Sequence, residues 1–249
     1  MKFAEFLNEN ESSYKEIINY NDAVELIKTH CKNMDFERPY WRGNRDNSYA
    51  YKVDGSKGHR QSSDTQNYYT MLIDKFAVAG QPLRSKSIIC TNYPGKSYAS
   101  RYADSRMGSY YAVFPYDNAK IGFVGKQDIW DINVTINDTK FSIEKWNNYF
   151  SFSNIKDTSY EDFMATIKNI FSKDIYKLEL HEKKLFDVFE GDFKNVEPFL
   201  KDAYSAESLK FKLGTSADID NTHLSEVWIG GPCILIRNDI WRDLVINGE

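Results

Sequence analysis

Apolar residues recur along this chain at two spacings, and each spacing predicts a different kind of element. Helical spacing predicts helices over about 21–31, 64–76, 98–106, 158–171, 178–189 and 196–204. Short runs rich in β-branched and aromatic residues predict strands over 40–42, 87–91, 110–115, 120–124, 132–136, 141–143, 209–213, 226–229 and 233–236. This mixture favours an α+β fold.

The pattern runs on without an internal repeat, a low-complexity tract or a linker, so one domain over residues 1–249 is the simplest organisation. Within it we expect an N-terminal helical segment over 1–35 and a helical insertion over 150–205. The charge run His181-Glu182-Lys183-Lys184 in that insertion predicts a solvated helix face.

Composition narrows the range of functions. The net charge of −4 provides no electrostatic footprint for general nucleic-acid binding. The three cysteines, Cys31, Cys90 and Cys233, are too widely spaced for a CxxC metal site and too few for a disulfide framework. The four histidines show no metal-ligand spacing, so no metal is expected. No GxGxxG loop is present, which disfavours a Rossmann-type dehydrogenase.

The sequence also predicts where the protein works. Residues 1–6 lack the apolar core of a signal peptide, and no run approaches the ~20 apolar residues that span a bilayer. We therefore expect a reduced, cytoplasmic protein with no membrane partner.

Three short strand patterns each carry one polar group suited to NAD chemistry. They are Pro39-Tyr40-Trp41-Arg42-Gly43, Arg84-Ser85-Lys86-Ser87-Ile88-Ile89-Cys90-Thr91-Asn92 and Ser225-Glu226-Val227-Trp228-Ile229. In that order they supply a guanidinium, a hydroxyl and a carboxylate. A guanidinium clamps a pyrophosphate, and a carboxylate stabilises the oxocarbenium-like ribose that forms as nicotinamide leaves. This order is what a site that cleaves the nicotinamide–ribose bond would need.

This set resembles the arginine–serine–glutamate (R-S-E) pattern of mono-ADP-ribosyltransferases, and the chain is most similar to the phage-encoded ADP-ribosyltransferase-like proteins. The similarity covers about residues 36–131 and 222–237. The stretches that carry it are Arg60-Gln61-Ser62, Asn67-Tyr68-Tyr69, Arg84 to Thr91, Val113-Phe114-Pro115 and Asp128-Ile129-Trp130. It implies an ADP-ribosyltransferase-like split β-sheet core with flanking helices and a helical insertion.

The resemblance also implies residue roles, with NAD as co-substrate. Arg42 would bind the NAD phosphate or ribose, and Gly43 would meet the nicotinamide amide. Thr91 would be the central residue of the family's serine–threonine–serine strand, where Cys90 and Asn92 replace the two serines. These five residues form the expected NAD-binding set. Glu226 would be the catalytic glutamate, with Arg42 and Thr91 as the other catalytic residues.

Two departures from the family pattern matter. A thiol is a poor hydrogen-bond donor, so either Thr91 orients Glu226 in place of Cys90 or the site is weakened. Arginine-modifying members carry Glu or Gln two positions before the catalytic glutamate, where this chain has Leu224, preceded by His223. Leucine cannot orient a guanidinium acceptor, which leaves another side chain, a nucleotide base or water. His223 is a candidate base on the acceptor side.

The leading hypothesis is an NAD-dependent mono-ADP-ribosyltransferase that modifies a macromolecular acceptor, either protein or nucleic acid. It would be an effector of phage or toxin type, acting in the host cytoplasm if phage-encoded. The first alternative is an NAD glycohydrolase, in which water replaces the acceptor. The second is a non-catalytic NAD-fold module used for binding or in a virion, which the changes at Cys90 and Asn92 favour.

Overall fold

The computed structural model describes residues 15–44, 46–59, 68–104, 108–125, 129, 133–136, 139–142, 159–215 and 223–247. The chain divides into two units. The first unit comprises residues 1–60, 79–128 and 211–249, and the second comprises residues 61–78 and 129–210.

Helices and strands are interspersed along the chain, and the predicted α+β class is confirmed. In chain order the elements are β1 (Lys15–Ile18), α1 (Tyr20–His30), β2 (Tyr40–Asn44), β3 (Ala50–Asp54), α2 (Tyr68–Lys75), β4 (Ile88–Thr91), α3 (Lys96–Asp104), β5 (Ser109–Pro115), β6 (Lys120–Val124), β7 (Asn133–Ile136), β8 (Thr139–Ser142), α4 (Tyr160–Phe171), α5 (Leu180–Val188), α6 (Val196–Ala203), β9 (Phe211–Gly214), β10 (Glu226–Gly230), β11 (Pro232–Arg237) and α7 (Asn238–Asn247).

The first unit is built on an antiparallel sheet of nine strands in the order β1-β3-β11-β5-β2-β4-β10-β6-β9. Neighbouring strands pair over four or five residues, except at the centre. There, within the described residues, β2 and β4 pair only where Trp41 lies opposite Thr91. The two halves of the sheet are therefore joined through a narrow contact.

Side chains alternate between the two faces of this sheet, and each face has its own apolar core. On one face, Trp41 packs with Ala112, Phe114 and the helix residues Ile27 and Trp241. We call it the Trp41 face. On the other, which we call the Tyr40 face, the core residues are Tyr40, Tyr51, Val53, Ile88, Cys90, Tyr111, Val113, Ile121, Phe123, Val227, Ile229, Cys233 and Leu235.

Helix α1 begins where Asn19 caps it, because the Asn19 side chain accepts a hydrogen bond from the Asp22 backbone N–H at 2.9 Å. It ends at Cys31, whose backbone N–H donates to the Ile27 carbonyl. Within the segment 1–35 that was predicted as helical, residues 15–18 instead form β1, and residues 1–14 lie outside the described part of the chain. No described helix has the length and apolarity needed to cross a membrane.

The second unit consists of helices α2 and α4 to α6 and the β7–β8 hairpin. Its core is aromatic: Tyr68 stacks on Phe163 with ring centroids 6.0 Å apart, and Phe189 meets Phe199 edge-on at 5.0 Å. Helix α4 begins after Ser159, whose side chain accepts the Asp162 backbone N–H. Three helices thus occupy residues 160–203, inside the region predicted as a helical insertion.

Glu182 does not fit the predicted solvated face. It is 8% exposed and accepts a 2.6 Å hydrogen bond from Lys173 Nζ. Its carboxylate also accepts the Glu179 backbone N–H at 3.1 Å, which closes a capping box at the start of α5. The prediction was wrong at this residue because a glutamate in the first turn of a helix serves as a cap.

Candidate functional site

The three strands predicted to carry the site, β2, β4 and β10, are neighbours in the sheet. Trp41 of β2 lies opposite Thr91 of β4, and Thr91 lies opposite Glu226 of β10. Residues that face each other across antiparallel strands share a face. Trp41, Thr91 and Glu226 therefore form a row across the Trp41 face at the narrow centre of the sheet.

Arg84 and Trp228 both donate hydrogen bonds to the Glu226 carboxylate. Glu226 is 4% exposed, and its Oε1 accepts hydrogen bonds from Arg84 NH2 at 3.2 Å and Trp228 Nε1 at 2.7 Å. Trp228 reaches it because residues two apart on a strand share a face. Arg84 is also 4% exposed, so this is a buried ion pair. Removing either residue would leave the other charge buried without its partner, which destabilises the folded protein.

Thr91 brings a hydroxyl to the centre of the row. It is 4% exposed, and within the described part of the chain its Oγ1 has no hydrogen-bond partner. Gly95 lies directly against it, because a Cβ on Gly95 would come 1.8 Å from that oxygen. A buried hydroxyl without a hydrogen-bond partner is unfavourable for folding.

Arg42 and Cys90 lie on the Tyr40 face, away from the Glu226 carboxylate. Arg42 NH1 donates to the Ile89 carbonyl at 2.8 Å, beside the point where β2 and β4 diverge. Cys90 is opposite Val227 in register and packs in the core of that face. Next to it, burial and then the charge of Cys90 raise the pKa of the Cys233 thiol well above its usual value.

Gly43 follows Arg42 on β2 and lies opposite Tyr110 of β5. It is half-buried. The structure thus brings Arg42, Gly43, Cys90, Thr91 and Glu226 to three adjacent strands, but it separates them between the two faces of the sheet.

Asn92 follows the last residue of β4 and is fully buried. Its Nδ2 donates to the His223 carbonyl at 2.6 Å, and its Oδ1 accepts the Ser225 backbone N–H at 3.0 Å. His223 is exposed and Leu224 is half-buried. Asn92, which was predicted to bind NAD, therefore contacts the backbone of residues 223–225, the segment predicted to face the acceptor.

Other stretches that carry the resemblance are distributed differently. Tyr68 and Tyr69 are buried in the second unit, and Val113 and Phe114 lie on β5. Residues 60–62, 67, 128 and 130 lie outside the described part of the chain.

The sequence analysis assigned no role to Arg84 or Trp228, which both donate to the Glu226 carboxylate. The contact of Trp228 could have been predicted, because Trp228 stands two positions after Glu226 on the same predicted strand and such residues share a face. For Arg84 no such prediction was possible, since its contact with Glu226 depends on how two distant segments pack. Among the described residues, no group of His, Cys, Asp and Glu side chains could hold a metal ion. No protein-family model, curated protein or solved structure matches this chain.

Proposed function

We propose that this chain is an NAD-dependent mono-ADP-ribosyltransferase with Glu226 as its catalytic carboxylate. The observation that carries the proposal is the row of Trp41, Thr91 and Glu226. Three sequence segments that were expected to build one NAD site come from distant parts of the chain, and they lie on adjacent strands.

In the proposed reaction, the bond between the ribose C1′ and the nicotinamide nitrogen breaks, and its electron pair leaves with nicotinamide. The Glu226 carboxylate stabilises the positive charge that develops on the ribose. An acceptor nucleophile then attacks C1′ and loses its proton. In this proposal the Thr91 hydroxyl, on the residue opposite Glu226, would bond the ribose or the carboxylate once NAD is bound.

Arg42 is the proposed ligand of the NAD pyrophosphate. The Arg42 guanidinium and the Glu226 carboxylate lie on opposite faces of the sheet. Arg42 is, however, next to the point where β2 and β4 stop pairing. An opening at that point would give one extended dinucleotide access to both faces. Arg42 suits this role because a guanidinium pairs with phosphate oxygens in a bidentate manner.

The acceptor is proposed to be a macromolecule other than protein arginine. His223 is exposed and stands on the segment that Asn92 holds, so it can act as a base toward an incoming nucleophile. Leu224 supplies no group to orient a guanidinium. The same residue is compatible with a glycohydrolase, in which water attacks C1′.

A non-catalytic NAD-fold module is the second candidate, and one observation favours it. The Glu226 carboxylate is almost fully buried and already bonded by Arg84 and Trp228. A carboxylate held in this way has a sufficient structural reason to be present. Catalysis requires that the residues covering Glu226 move to admit the ribose.

The test is nicotinamide release from NAD by the purified chain, alone and with cell lysate and labelled NAD. Glu226→Gln should abolish release. Glu182→Gln is the matched control, because it neutralises another buried, ion-paired carboxylate in the second unit. Circular dichroism of both variants checks that they fold, and Arg84→Met/Glu226→Gln provides a variant without an unpaired buried charge.

Each outcome of this test separates the candidates. Release with transfer of labelled ADP-ribose to protein or nucleic acid supports the transferase. Release without transfer identifies a glycohydrolase. Binding of NAD without release, unchanged in Glu226→Gln, identifies a non-catalytic module. Release that persists at the wild-type rate in Glu226→Gln refutes the role of this glutamate.

A further inference from the structure

We propose that Arg84 is a positioning residue, which fixes the place and orientation of the Glu226 carboxylate. The catalytic meaning of this role rests on the proposed function. The contact itself does not, and it can be tested whether or not the chain cleaves NAD.

Arg84 is itself held in a defined place. It begins a short 3-10 turn over Arg84–Lys86, directly before β4. The Ser87 hydroxyl donates to the Leu83 carbonyl at 2.6 Å and closes this turn. The chain just before it lies close to β10, because a Cβ on Gly230 would come 2.7 Å from Pro82 Cβ. The segment that carries Arg84 therefore packs against β10, the strand that carries Glu226.

The second donor to the carboxylate is equally fixed. Trp228 is fully buried, and its ring packs on Phe211 with the centroids 4.7 Å apart. Phe211 in turn occupies the space above Gly122, where a Cβ would come 2.0 Å from the ring. The Arg84 guanidinium lies 5.8 Å from the centre of the Trp228 ring. Two buried donors thus converge on Glu226 Oε1.

Converging donors limit the rotamers that Glu226 can adopt. A carboxylate that stabilises a developing ribose cation has to stand at a set distance from C1′. Misplacement by about 1 Å costs about 10²-fold in rate. Arg84 donates to the carboxylate. If it acts through that carboxylate alone, its loss should lower kcat and leave the KM for NAD nearly unchanged.

The contact can be followed through the indole N–H of Trp228, which donates to the same oxygen as Arg84. In a proton–nitrogen NMR spectrum of the labelled chain, the signal missing in Trp228→Phe identifies it. Arg84→Met should move this signal toward its position in Glu226→Gln. An Arg84→Met spectrum in which the signal keeps its wild-type position overturns the proposal.

Two further variants keep the test decisive if Arg84→Met does not fold. Arg84→Lys keeps the positive charge but loses the planar guanidinium, and it should shift the indole signal by an intermediate amount. Arg84→Met/Glu226→Gln removes both charges and serves as a folded reference. A wild-type signal and a wild-type kcat in Arg84→Lys would support the positioning role and assign it to the positive charge alone.

In the active enzyme, Arg84→Met should lower kcat about 10²-fold, with the KM for NAD within about twofold of the wild type. Arg237→Met is the matched control, because Arg237 forms its ion pair with Asp239 at the surface of the same unit. A raised KM with unchanged kcat would mean that Arg84 binds NAD directly, and it overturns the positioning role. If the wild type releases no nicotinamide, the proposed function fails, and the indole signal alone decides the role of Arg84.

Discussion

Asn92 and Ser225 hold each other through two hydrogen bonds just beyond the last residue pair of β4 and β10. The Asn92 backbone N–H donates to the Ser225 carbonyl at 3.1 Å, and the Ser225 N–H donates to Asn92 Oδ1 at 3.0 Å. Asn92 Nδ2 adds a bond of 2.6 Å to the His223 carbonyl. The side-chain amide thereby continues the strand pairing in front of Glu226.

Asn92→Asp should destabilise the protein. It replaces the Nδ2 donor with an oxygen that faces the His223 carbonyl, and no water can compensate because Asn92 is fully buried. We expect a loss of about 2 kcal/mol or more in the free energy of unfolding, measured in urea at pH 7.

Asn195→Asp is the control for this prediction. Asn195 also donates to a backbone carbonyl, that of Phe189 at 3.1 Å, but it is exposed. Its loss should stay within about 0.5 kcal/mol, because water replaces the donor. Equal losses in the two variants would contradict the view that burial makes the Asn92 contacts important.

Thr91→Val separates stability from function. The Thr91 hydroxyl is buried and has no hydrogen-bond partner among the described residues, so its removal should leave the free energy of unfolding unchanged or raise it by about 1 kcal/mol. Nicotinamide release should fall by about tenfold or more, since the hydroxyl lies opposite Glu226. Lower stability with unchanged release would show that the hydroxyl serves the fold.

The sequence predicted the elements of the site better than their contacts. The runs over 87–91 and 226–229 were expected as strands, and they correspond to β4 and β10. Local composition is enough for such a prediction, because β-branched and aromatic residues favour strands wherever they lie in the chain. The proposed pairing of Glu226 with Thr91 rested on resemblance, since no spacing in a sequence encodes which distant strands become neighbours.

Two features of the site could not be predicted from the sequence: which side chains share a face of the sheet, and which residue forms the ion pair with Glu226. Register decides that Thr91, and not Cys90, stands opposite Glu226. The Arg84–Glu226 pair depends on the packing of a short turn against β10. Glu182 illustrates the same point in the second unit, because its burial follows from the cap and from Lys173, not from the surrounding charge run.

Glu182 should make the stability of the protein depend on pH. Burial alone would raise the pKa of Glu182, but hydrogen bonds from Lys173 and from the Glu179 backbone outweigh it and lower that pKa below its ordinary value of 4.5. A lowered folded-state pKa stabilises the protein above the unfolded value, and this stabilisation is lost as the pH falls through the folded value.

Glu182→Gln should therefore have a lower free energy of unfolding than the wild type at pH 7. In urea unfolding series, this difference should shrink as the pH falls to about 3, below the usual range of glutamate pKa values. Lys173→Met should show the same convergence, because it removes the other half of the contact. A difference that stays constant from neutral to acid pH would exclude an ionised Glu182 as its source.

Gly95→Ala should disturb the centre of the proposed site. A Cβ on Gly95 would come 1.8 Å from Thr91 Oγ1, 2.5 Å from its Cγ2 and 2.6 Å from its Cβ. Gly95 cannot withdraw easily, because its backbone N–H donates to the Asn92 carbonyl at 2.9 Å. We expect a loss of about 1–3 kcal/mol in the free energy of unfolding from overpacking, together with slower nicotinamide release as Thr91 leaves the row.

A double-mutant cycle with Thr91→Ala tests the cause of that loss. Thr91→Ala removes Oγ1 and Cγ2 but leaves the Cβ contact, so it should relieve only part of the clash. Gly95→Ala should then cost at least about 0.5 kcal/mol less in the Thr91→Ala background than in the wild type. An identical cost in both backgrounds would place the strain in the backbone of residues 93–95, and Thr91 would be free of any steric coupling to Gly95.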